Sequence, residues 1–594
     1  MSTAILTGQP VPGSPLEGDL RSLGFDVRVA SDAADVETLL AAVPGDQRVA
    51  VVDARFVGHV HALRLGLTDP RFAASAVPGA VTAKPEARTA LTHALRTSAE
   101  ATASLPDSLA AAMESGATDV HRPELGTLVA TVPTDPQTRN EARQAVAAVD
   151  DEAVRLRTAV KSRDGFFTTY CISPYSRYIA RWCARRGLTP NQVTTASLLT
   201  ALIAAGCAAT GTRGGFVAAG LLLIFSFVLD CTDGQLARYS LQYSTLGAWL
   251  DATFDRAKEY AYYAGLALGA ARGGDDVWAL ALGAMVLQTC RHVVDFSFNE
   301  ANHDATANTS PTAALSDKLD SVGWTVWVRR MIVLPIGERW ALIAVLTAVT
   351  TPRITLVVLL VGCSLAACYT TAGRVLRSVT RKATRTDRAA GALADLADNG
   401  PLASAFAALK PGAWLRAAPV LAFAGGAVLV GAALSNPYGS PLVVAAAALY
   451  VALSGLALVM PLKAPLDWLV PPFFRAAEYG TVLVLAAKAD VNGALPAAFG
   501  LVAAVAYHHY DTVYRIKGGT GAPPAWLVRA VGGQEGRALV VALAAALLSA
   551  TDFTVALTAL AVAVALVVLV ESIHFWVTAH KRGAPAVHDE GEPA

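Results

Sequence analysis

Hydrophobic and polar positions along the chain fall into distinct regimes. Over residues 1–160 short β-branched runs, such as 26–30 and 48–53, alternate with stretches of helical period such as 33–42. This predicts a small soluble α/β domain. From about residue 192 long apolar runs take over, near 192–211, 215–237, 247–271, 276–298, 338–351 and 354–376. They resume near 413–435, 440–461, 473–489, 494–514, 536–550 and 552–578. A helix crosses the hydrocarbon core with about 20 residues, so the pattern predicts about twelve spans in two six-helix units. The fold class expected is a multi-pass α-helical membrane protein with an N-terminal soluble α/β domain. A basic, Trp-bearing stretch at 316–336 (Trp324, Trp327, Arg329, Arg330) reads as an interfacial helix. The boundaries drawn are 1–150 for the α/β domain, 155–380 for the first helical unit, 381–412 for a linker, 413–580 for the second unit and 581–594 for a polar tail.

Composition agrees. Of 594 residues 54% are hydrophobic and 16% charged, against about 45–50% and about 25% in soluble chains. This excludes an ordinary soluble enzyme, a disordered chain and a nucleic-acid binder. The formal net charge of +1 leaves no bulk electrostatic attraction to argue from. None of the seven cysteines forms a CxxC pair, so neither a disulfide framework nor a zinc site is expected. No charged segment followed by a short apolar core opens the sequence, so no secretory signal is read there. Basic residues set the orientation. Arg181, Arg185 and Arg186 precede the first span; Arg374, Arg377, Arg381, Lys382 and Arg385 follow the sixth. Arg515, Lys517 and Arg529 lie between the tenth and eleventh, and Lys581 and Arg582 follow the last. The expectation is an integral protein of the cell membrane with the N-terminal domain and the C-terminus cytoplasmic.

Candidate chemistry sits between the second and third spans, in FVLDCTDGQLARYSLQYSTLGAWLDATFDR, residues 227–256. Asp at the centre of a span costs about 2.5–3.5 kcal/mol on insertion scales, yet Asp230, Asp233, Asp251 and Asp255 all lie here. The first two are at i, i+3 and the last two at i, i+4, so each pair shares a helical face. The connection 239–246 lets the helices run antiparallel and brings the pairs together. Close carboxylates need cations, and hard oxygen donors favour Mg²⁺, Mn²⁺ or Ca²⁺ over zinc. Two such ions suit in-line displacement at phosphorus. Gly234 and Gly247 allow close approach of a ligand, and Arg238 offers a fork for phosphate.

The spacing D-x-x-D-G-x-x-A-R, eight residues, G-x-x-x-D-x-x-x-D resembles the signature of the CDP-alcohol phosphotransferases. It is met at Asp230, Asp233, Gly234, Ala237, Arg238, Gly247, Asp251 and Asp255. At ordinary residue frequencies the match arises by chance about once in 10⁹–10¹⁰ starts. KSRDGFF (161–167) and the TPNQVT stretch (189–194) are also similar to the family. The resemblance implies transfer of a phosphoryl-alcohol group from a CDP-alcohol, such as CDP-diacylglycerol, to an acceptor alcohol or alcohol phosphate, with release of CMP, in phospholipid biosynthesis. It implies a two-metal site of Mg²⁺ or Mn²⁺ on Asp230, Asp233, Asp251 and Asp255. Asp255 would be the general base, and Gly234, Ala237, Arg238 and Gly247 would hold the CDP moiety. Arg291 and His292, in CRHVVDFSFNEA (290–301), are acceptor-site candidates, although family members using phosphorylated polyols often carry a more basic stretch there. A snorkelling Arg is an equal reading of Arg291.

The N-terminal domain resembles a degenerate nucleotidyltransferase, as in bifunctional enzymes that fuse an inositol-1-phosphate cytidylyltransferase to a CDP-alcohol phosphotransferase. Ile5–Gly8 and Gly13 stand where a phosphate loop would be, but Pro10, Pro12 and Pro15 interrupt it. Val51-Val52-Asp53 is followed by Ala54 and Arg55 rather than a second acid. No cytidylyltransferase activity is expected, and a docking or regulatory role takes its place.

In the second unit, WLVPPFFRAAEY (468–479) echoes WLDATFDRAKEY (249–260), with Arg475, Glu478 and Tyr479 at the places of Arg256, Glu259 and Tyr260. Val470 and Phe474 replace Asp251 and Asp255, and His508–Asp511 echoes His292–Asp295. Either chance likeness of apolar helices or a degenerate repeat accounts for this. A repeat would make an internal pseudo-dimer in place of a homodimer. A transporter with intramembrane acids and an idle membrane scaffold are the alternatives to the enzyme.

Overall fold

A computed structural model describes residues 2–97, 104–161, 164–309, 331–380, 382–409 and 418–581. Most of the expected interfacial helix at 316–336 and nearly all of the polar tail lie outside the described residues.

In the N-terminal domain, strands β1 (Ser2–Thr7), β2 (Phe25–Ala30), β3 (Val49–Asp53), β4 (Val57–Gly58), β5 (Ala74–Val77), β6 (Ala80–Ala83) and β7 (Val120–His121) alternate with helices. The main sheet runs β2-β1-β3-β6-β5-β7, with β6 antiparallel to both neighbours. β3 is apolar up to its last residue because both its faces are covered. Val49 and Val51 pack with Ile5, Val36 and Leu40, while Ala50 and Val52 pack with Leu6, Leu20 and Leu63 on the opposite face. The predicted strands and the helix at 33–42 stand where the sequence pattern put them, the helix capped by the Asp32 carboxylate on the Asp35 amide.

This domain is fastened to the membrane unit at the end of the helix Arg213–Ser240. Arg64 donates to the Ser240 carbonyl at 2.8 Å, and Arg155 donates to the Tyr239 carbonyl at 2.8 Å. The Arg155 guanidinium also stacks 3.6 Å from the Tyr239 ring centroid. A further helix, Ser173–Arg185, presents Tyr175, Tyr178 and Trp182 to the outside beside Arg177 and Arg181. Aromatic rings interleaved with arginines are the chemistry of a helix lying in a membrane interface.

Helices occupy the places of all the predicted apolar runs. Those of the first unit are Pro190–Ala209, Arg213–Ser240, Thr245–Arg272, Trp278–Asn302, Ile336–Val349 and Pro352–Thr380. Those of the second are Ala418–Ser435, Pro441–Ala457, Val470–Ala489, Ala494–Lys517, Gly533–Leu547 and Ala550–Lys581. Among the described residues, six segments are long and apolar enough to cross a membrane by length and composition: Pro190–Ala209, Arg213–Ser240, Pro352–Thr380, Ala418–Ser435, Ala525–Leu547 and Ala550–His580. The expected count of about twelve is therefore met in part. The shortfall has a physical reason. Thr245–Arg272, Val470–Ala489 and Ala494–Lys517 sit inside the bundle and carry buried ion pairs, whereas Ala550–Lys581 turns Val555, Val562, Leu566 and Val570 outward.

Three details depart from the sequence reading. The turn between the second and third helices is only 241–244, shorter than the expected connection, with Leu241 in the left-handed region at φ 51° and Ser244 capping the next helix on the Gly247 amide. The two motif helices each pack principally on Pro190–Ala209 rather than on one another, which keeps a cleft between them. Gly265 and Gly269 make that contact: a Cβ there would meet the carbonyls of Ala205 and Ala208 at 2.4 and 2.0 Å. Finally, the stretch expected as a linker contains the helices Asp387–Ala397 and Pro401–Ala408, and Asp398 between them is buried.

The two units repeat one packing scheme. In each, the first helix packs on the second and third, the second on the fifth, the third on the fourth, and the sixth on the fourth and fifth. Between the units, Trp278–Asn302 packs on Val470–Ala489 and on Ala494–Lys517, and Thr245–Arg272 packs on Ala494–Lys517 and Ala550–Lys581. Trp249 stacks on Trp576 with ring centroids 5.9 Å apart, and Trp468 donates to Ser378 at 2.9 Å.

Candidate catalytic centre

The helical period of Arg213–Ser240 places Asp230, Asp233, Gly234, Ala237 and Arg238 along one side, while Leu236 and Tyr239 are buried on another. On Thr245–Arg272, Gly247, Asp251 and Asp255 recur every fourth residue. Across the cleft, donor atoms of Asp230, Asp233 and Asp251 lie within 4.8 Å of one another. Asp233 Oδ2 is buried with no hydrogen-bond partner among the described residues. A desolvated carboxylate oxygen left unsatisfied is costly, and a divalent cation with oxygen ligands at about 2.0–2.6 Å is what such a cluster would satisfy. These three residues therefore fit a hard metal ion.

The fourth acid stands differently. Asp255 Oδ1 accepts a hydrogen bond from Lys258 Nζ at 3.1 Å, and the same ammonium donates to Asp230 Oδ1. Lys258 is fully buried. The sequence reading passed over it. A lysine three residues after Asp255 in a largely apolar helix was the available signal, since i, i+3 puts it on the same face.

The glycines and Arg238 have separate settings. A Cβ on Gly234 would touch only the Arg238 guanidinium, at 3.4 Å, so the backbone there is open toward the cleft. Gly247 is needed for packing, since a Cβ would sit 2.6 Å from Asn191 Oδ1. Asn191 opens the first helix, whose Thr189–Gln192 capping box satisfies the end of the chain turn. Arg238 donates Nε to the Ala159 carbonyl at 2.6 Å, which fixes its guanidinium near the C-terminal end of the helix Arg213–Ser240. Ala237 stands between them on the same half-buried side.

Among the described residues, no hydrogen bond joins Arg291 or His292 to the acids. Arg291 donates to Gln288 at 3.0 Å and to the Val333 carbonyl at 2.7 Å. His292 Nδ1 lies 2.5 Å from the Tyr510 hydroxyl of the second unit, and its Nε2 3.5 Å from Arg256. Behind the acids a second polar layer was also missed. Glu259, buried, pairs with Arg256 and Arg339 at 2.9 Å each, and accepts from the Tyr263 hydroxyl at 2.6 Å. Its counterpart in the second unit is Glu478, which pairs with Arg475 at 2.9 Å and Arg537 at 2.6 Å. The acidic motif itself has no counterpart: Val470 and Phe474 are buried apolar residues.

At the end of β3, Asp53 is held by Arg55, with Nη2 2.8 Å from Oδ2. Gly8 and Gly13, which follow β1, both have positive φ, 89° and 72°, so the loop has the backbone freedom expected of it.

Comparison with known proteins follows these features. Residues 187–352 match the family model for CDP-alcohol phosphatidyltransferase, and residues 387–594 match a Family of unknown function (DUF5941). The chain is 33% identical over 130 residues to the phosphatidylinositol phosphate synthase of Streptomyces avermitilis, covering 21% of this chain and 51% of that protein. It is 32% identical over 114 residues to the bifunctional IPC transferase and DIPP synthase of Aquifex aeolicus, covering 19% and 26%. It is 31% identical over 113 residues to the archaetidylinositol phosphate synthase of Pyrococcus horikoshii, covering 19% and 58%. The chain thus spans about half of the first of these relatives and about a quarter of the second. The aspartate motif lies inside the matched segment, so the likeness of residues 187–352 to the CDP-alcohol phosphatidyltransferase family includes the candidate site.

Proposed function

We propose that this protein transfers a phosphoryl-alcohol group from a membrane-borne CDP-alcohol, such as CDP-diacylglycerol, to the hydroxyl of a second alcohol and releases CMP. The observation that carries the reading is the convergence of Asp230, Asp233 and Asp251 within 4.8 Å, with the Asp233 Oδ2 oxygen left unsatisfied. Held by these three, a Mg²⁺ or Mn²⁺ ion would neutralise charge on the donor diphosphate. Gly234 leaves room for the diphosphate against the backbone, and Arg238 offers its remaining guanidinium N–H groups to the CDP moiety. Ala237 keeps its side of the cleft low, and Gly247 lets the helix Thr245–Arg272 begin close against Asn191. Asp255 takes the proton of the acceptor hydroxyl as its oxygen attacks phosphorus and the bond to the CMP oxygen breaks. We read Arg291 and His292 as structural, given their bonds to Val333 and Tyr510.

The acceptor is read as a phosphorylated polyol, because the Streptomyces avermitilis relative is named a phosphatidylinositol phosphate synthase. The twelve helices are read as twelve spans, with the N-terminal domain and the C-terminal tail in the cytoplasm. The basic, aromatic helix Ser173–Arg185 beside the N-terminal domain supports that side. Residues 413–580 are read as a degenerate copy of the first unit that pairs with it. The repeated packing scheme and the repeated Arg–Glu–Arg triads support this, as does the reciprocal use of third and fourth helices expected of an isologous contact. A transporter would need matching acids in both halves, but Val470 and Phe474 stand at the places of Asp251 and Asp255, and the buried charges of the second half are paired with one another.

The test uses the full-length protein in lipid nanodiscs with CDP-diacylglycerol and inositol phosphate or glycerol phosphate. CMP and a new phospholipid, seen by mass spectrometry and dependent on Mg²⁺ or Mn²⁺, are expected. No CMP release with any CDP-alcohol would refute the reading.

A further inference from the structure

The acidic quartet does not behave as four equivalent ligands. Three of its members, Asp230, Asp233 and Asp251, present donor atoms within 4.8 Å of one another. The fourth, Asp255, is bonded to an ammonium group. Lys258 Nζ stands between Asp255 Oδ1, at 3.1 Å, and Asp230 Oδ1. Its side chain is fully buried, with the Trp340 ring centroid 5.6 Å from Nζ. The lysine therefore cannot reach solvent by a small rotation, and an unpaired charge at that depth would be strongly unfavourable. A second divalent ion held by Asp230 and Asp255 would find one oxygen of each carboxylate already engaged by Lys258 and would stand beside this fixed positive charge, in a site where like charges repel strongly.

We propose that Lys258 takes the place of one of the two metal ions, so that the centre holds a single divalent cation on Asp230, Asp233 and Asp251. Lys258 is then a positioning residue. It keeps Asp255 ionised and aimed at the cleft, and it adds a positive charge near the donor diphosphate without coordination geometry of its own. The inference rests on the reading of those three acids as a cation site.

Manganese provides the test, because its spin reports both number and spacing of bound ions. The full-length protein is titrated with Mn²⁺, and bound ions are counted by equilibrium dialysis and electron paramagnetic resonance. Wild type should bind one ion per chain, with the signal of an isolated Mn²⁺. Lys258→Met should bind two, with exchange coupling between them, and Lys258→Arg should still bind one. Two coupled ions in wild type would overturn the role of Lys258 while leaving the cation site standing. No bound ion in wild type, with Asp233→Asn behaving identically, would instead remove the cation site itself. Should Lys258→Met fail to fold, the wild-type stoichiometry and Lys258→Arg decide the matter alone.

Discussion

Arg55 closes a bidentate grip on Asp53, with Nε 3.0 Å from Oδ1 and Nη2 2.8 Å from Oδ2. Asp53 ends β3, next to β1, at the point of the sheet where parallel α/β folds bind ligands. The acid that would hold a nucleotide's metal is thus already paired with a cation from its own chain. We therefore expect no pyrophosphate from the full-length protein incubated with CTP and inositol phosphate or glycerol phosphate. Turnover in a coupled pyrophosphate assay would show that the loop after β1 still cradles a triphosphate.

At the acidic cluster, Asp255→Asn should lower CMP release by about 10²–10⁴, the range for loss of a general base. Asp233→Asn should abolish it, since Asp233 carries the unsatisfied oxygen of the cluster. Both variants should still fold and elute as wild type, with Asp255→Asn melting lower because the buried Lys258 loses the charge of one of its two carboxylate partners. Full activity of Asp255→Asn, or of wild type in EDTA, contradicts the assignment.

Buried charge makes a separate prediction for the second unit. Glu478, Arg475, Arg537 and Asp398 form a closed network with bonds of 2.6–3.0 Å. Removing one partner strands the others, so Arg475→Ala should cost about 3–5 kcal/mol. The measurement is a melting curve in detergent, with Mn²⁺ binding at the first unit as the control that should not move. A melting point equal to wild type would show that the network is hydrated.

His61 supplies a pH dependence. Burial, with Arg155 and Arg64 adding repulsion, holds its pKa at about 4 in the folded protein, against about 6.5 when unfolded. The folded state thus binds fewer protons between those values. Stability of the N-terminal domain should be unaffected above pH 6.5 and fall as pH drops from there toward 4. The loss is about 2 kcal/mol at pH 5. Neither ring nitrogen has a hydrogen-bond partner among the described residues, so His61→Leu should remove the pH dependence without stranding a polar group. Limited proteolysis at pH 7 and pH 5 reads this directly, and equal protection at both pH values in wild type would count against it.

Much of this was legible beforehand, for reasons specific to each element. β3 was readable because a strand covered on both faces is apolar almost throughout. The twelve helical positions were readable because a bundle in lipid leaves few polar residues to confuse the boundaries. The aspartates were readable because charges at such depth need a purpose. Lys258 and Arg339 are not legible in the sequence, and Glu259 is legible only as part of the echoed segment, since their meaning depends on which partners the fold brings to them: Arg339 lies 80 residues from Glu259. The linker failed for the opposite reason. Asp387–Ala397 looks polar in sequence, but Asp398 at its end is drawn inward by Arg475 and Arg537, residues far along the chain.

The contact of Trp249 with Trp576, and of Trp468 with Ser378, ties the two helical units together inside one polypeptide. Two separate chains meeting through such faces would part as they were diluted in the bilayer. Here the facing surfaces share a covalent tether, so their encounter is first-order and independent of expression level. A cell making a few copies has the same fraction of assembled centres as a cell making many.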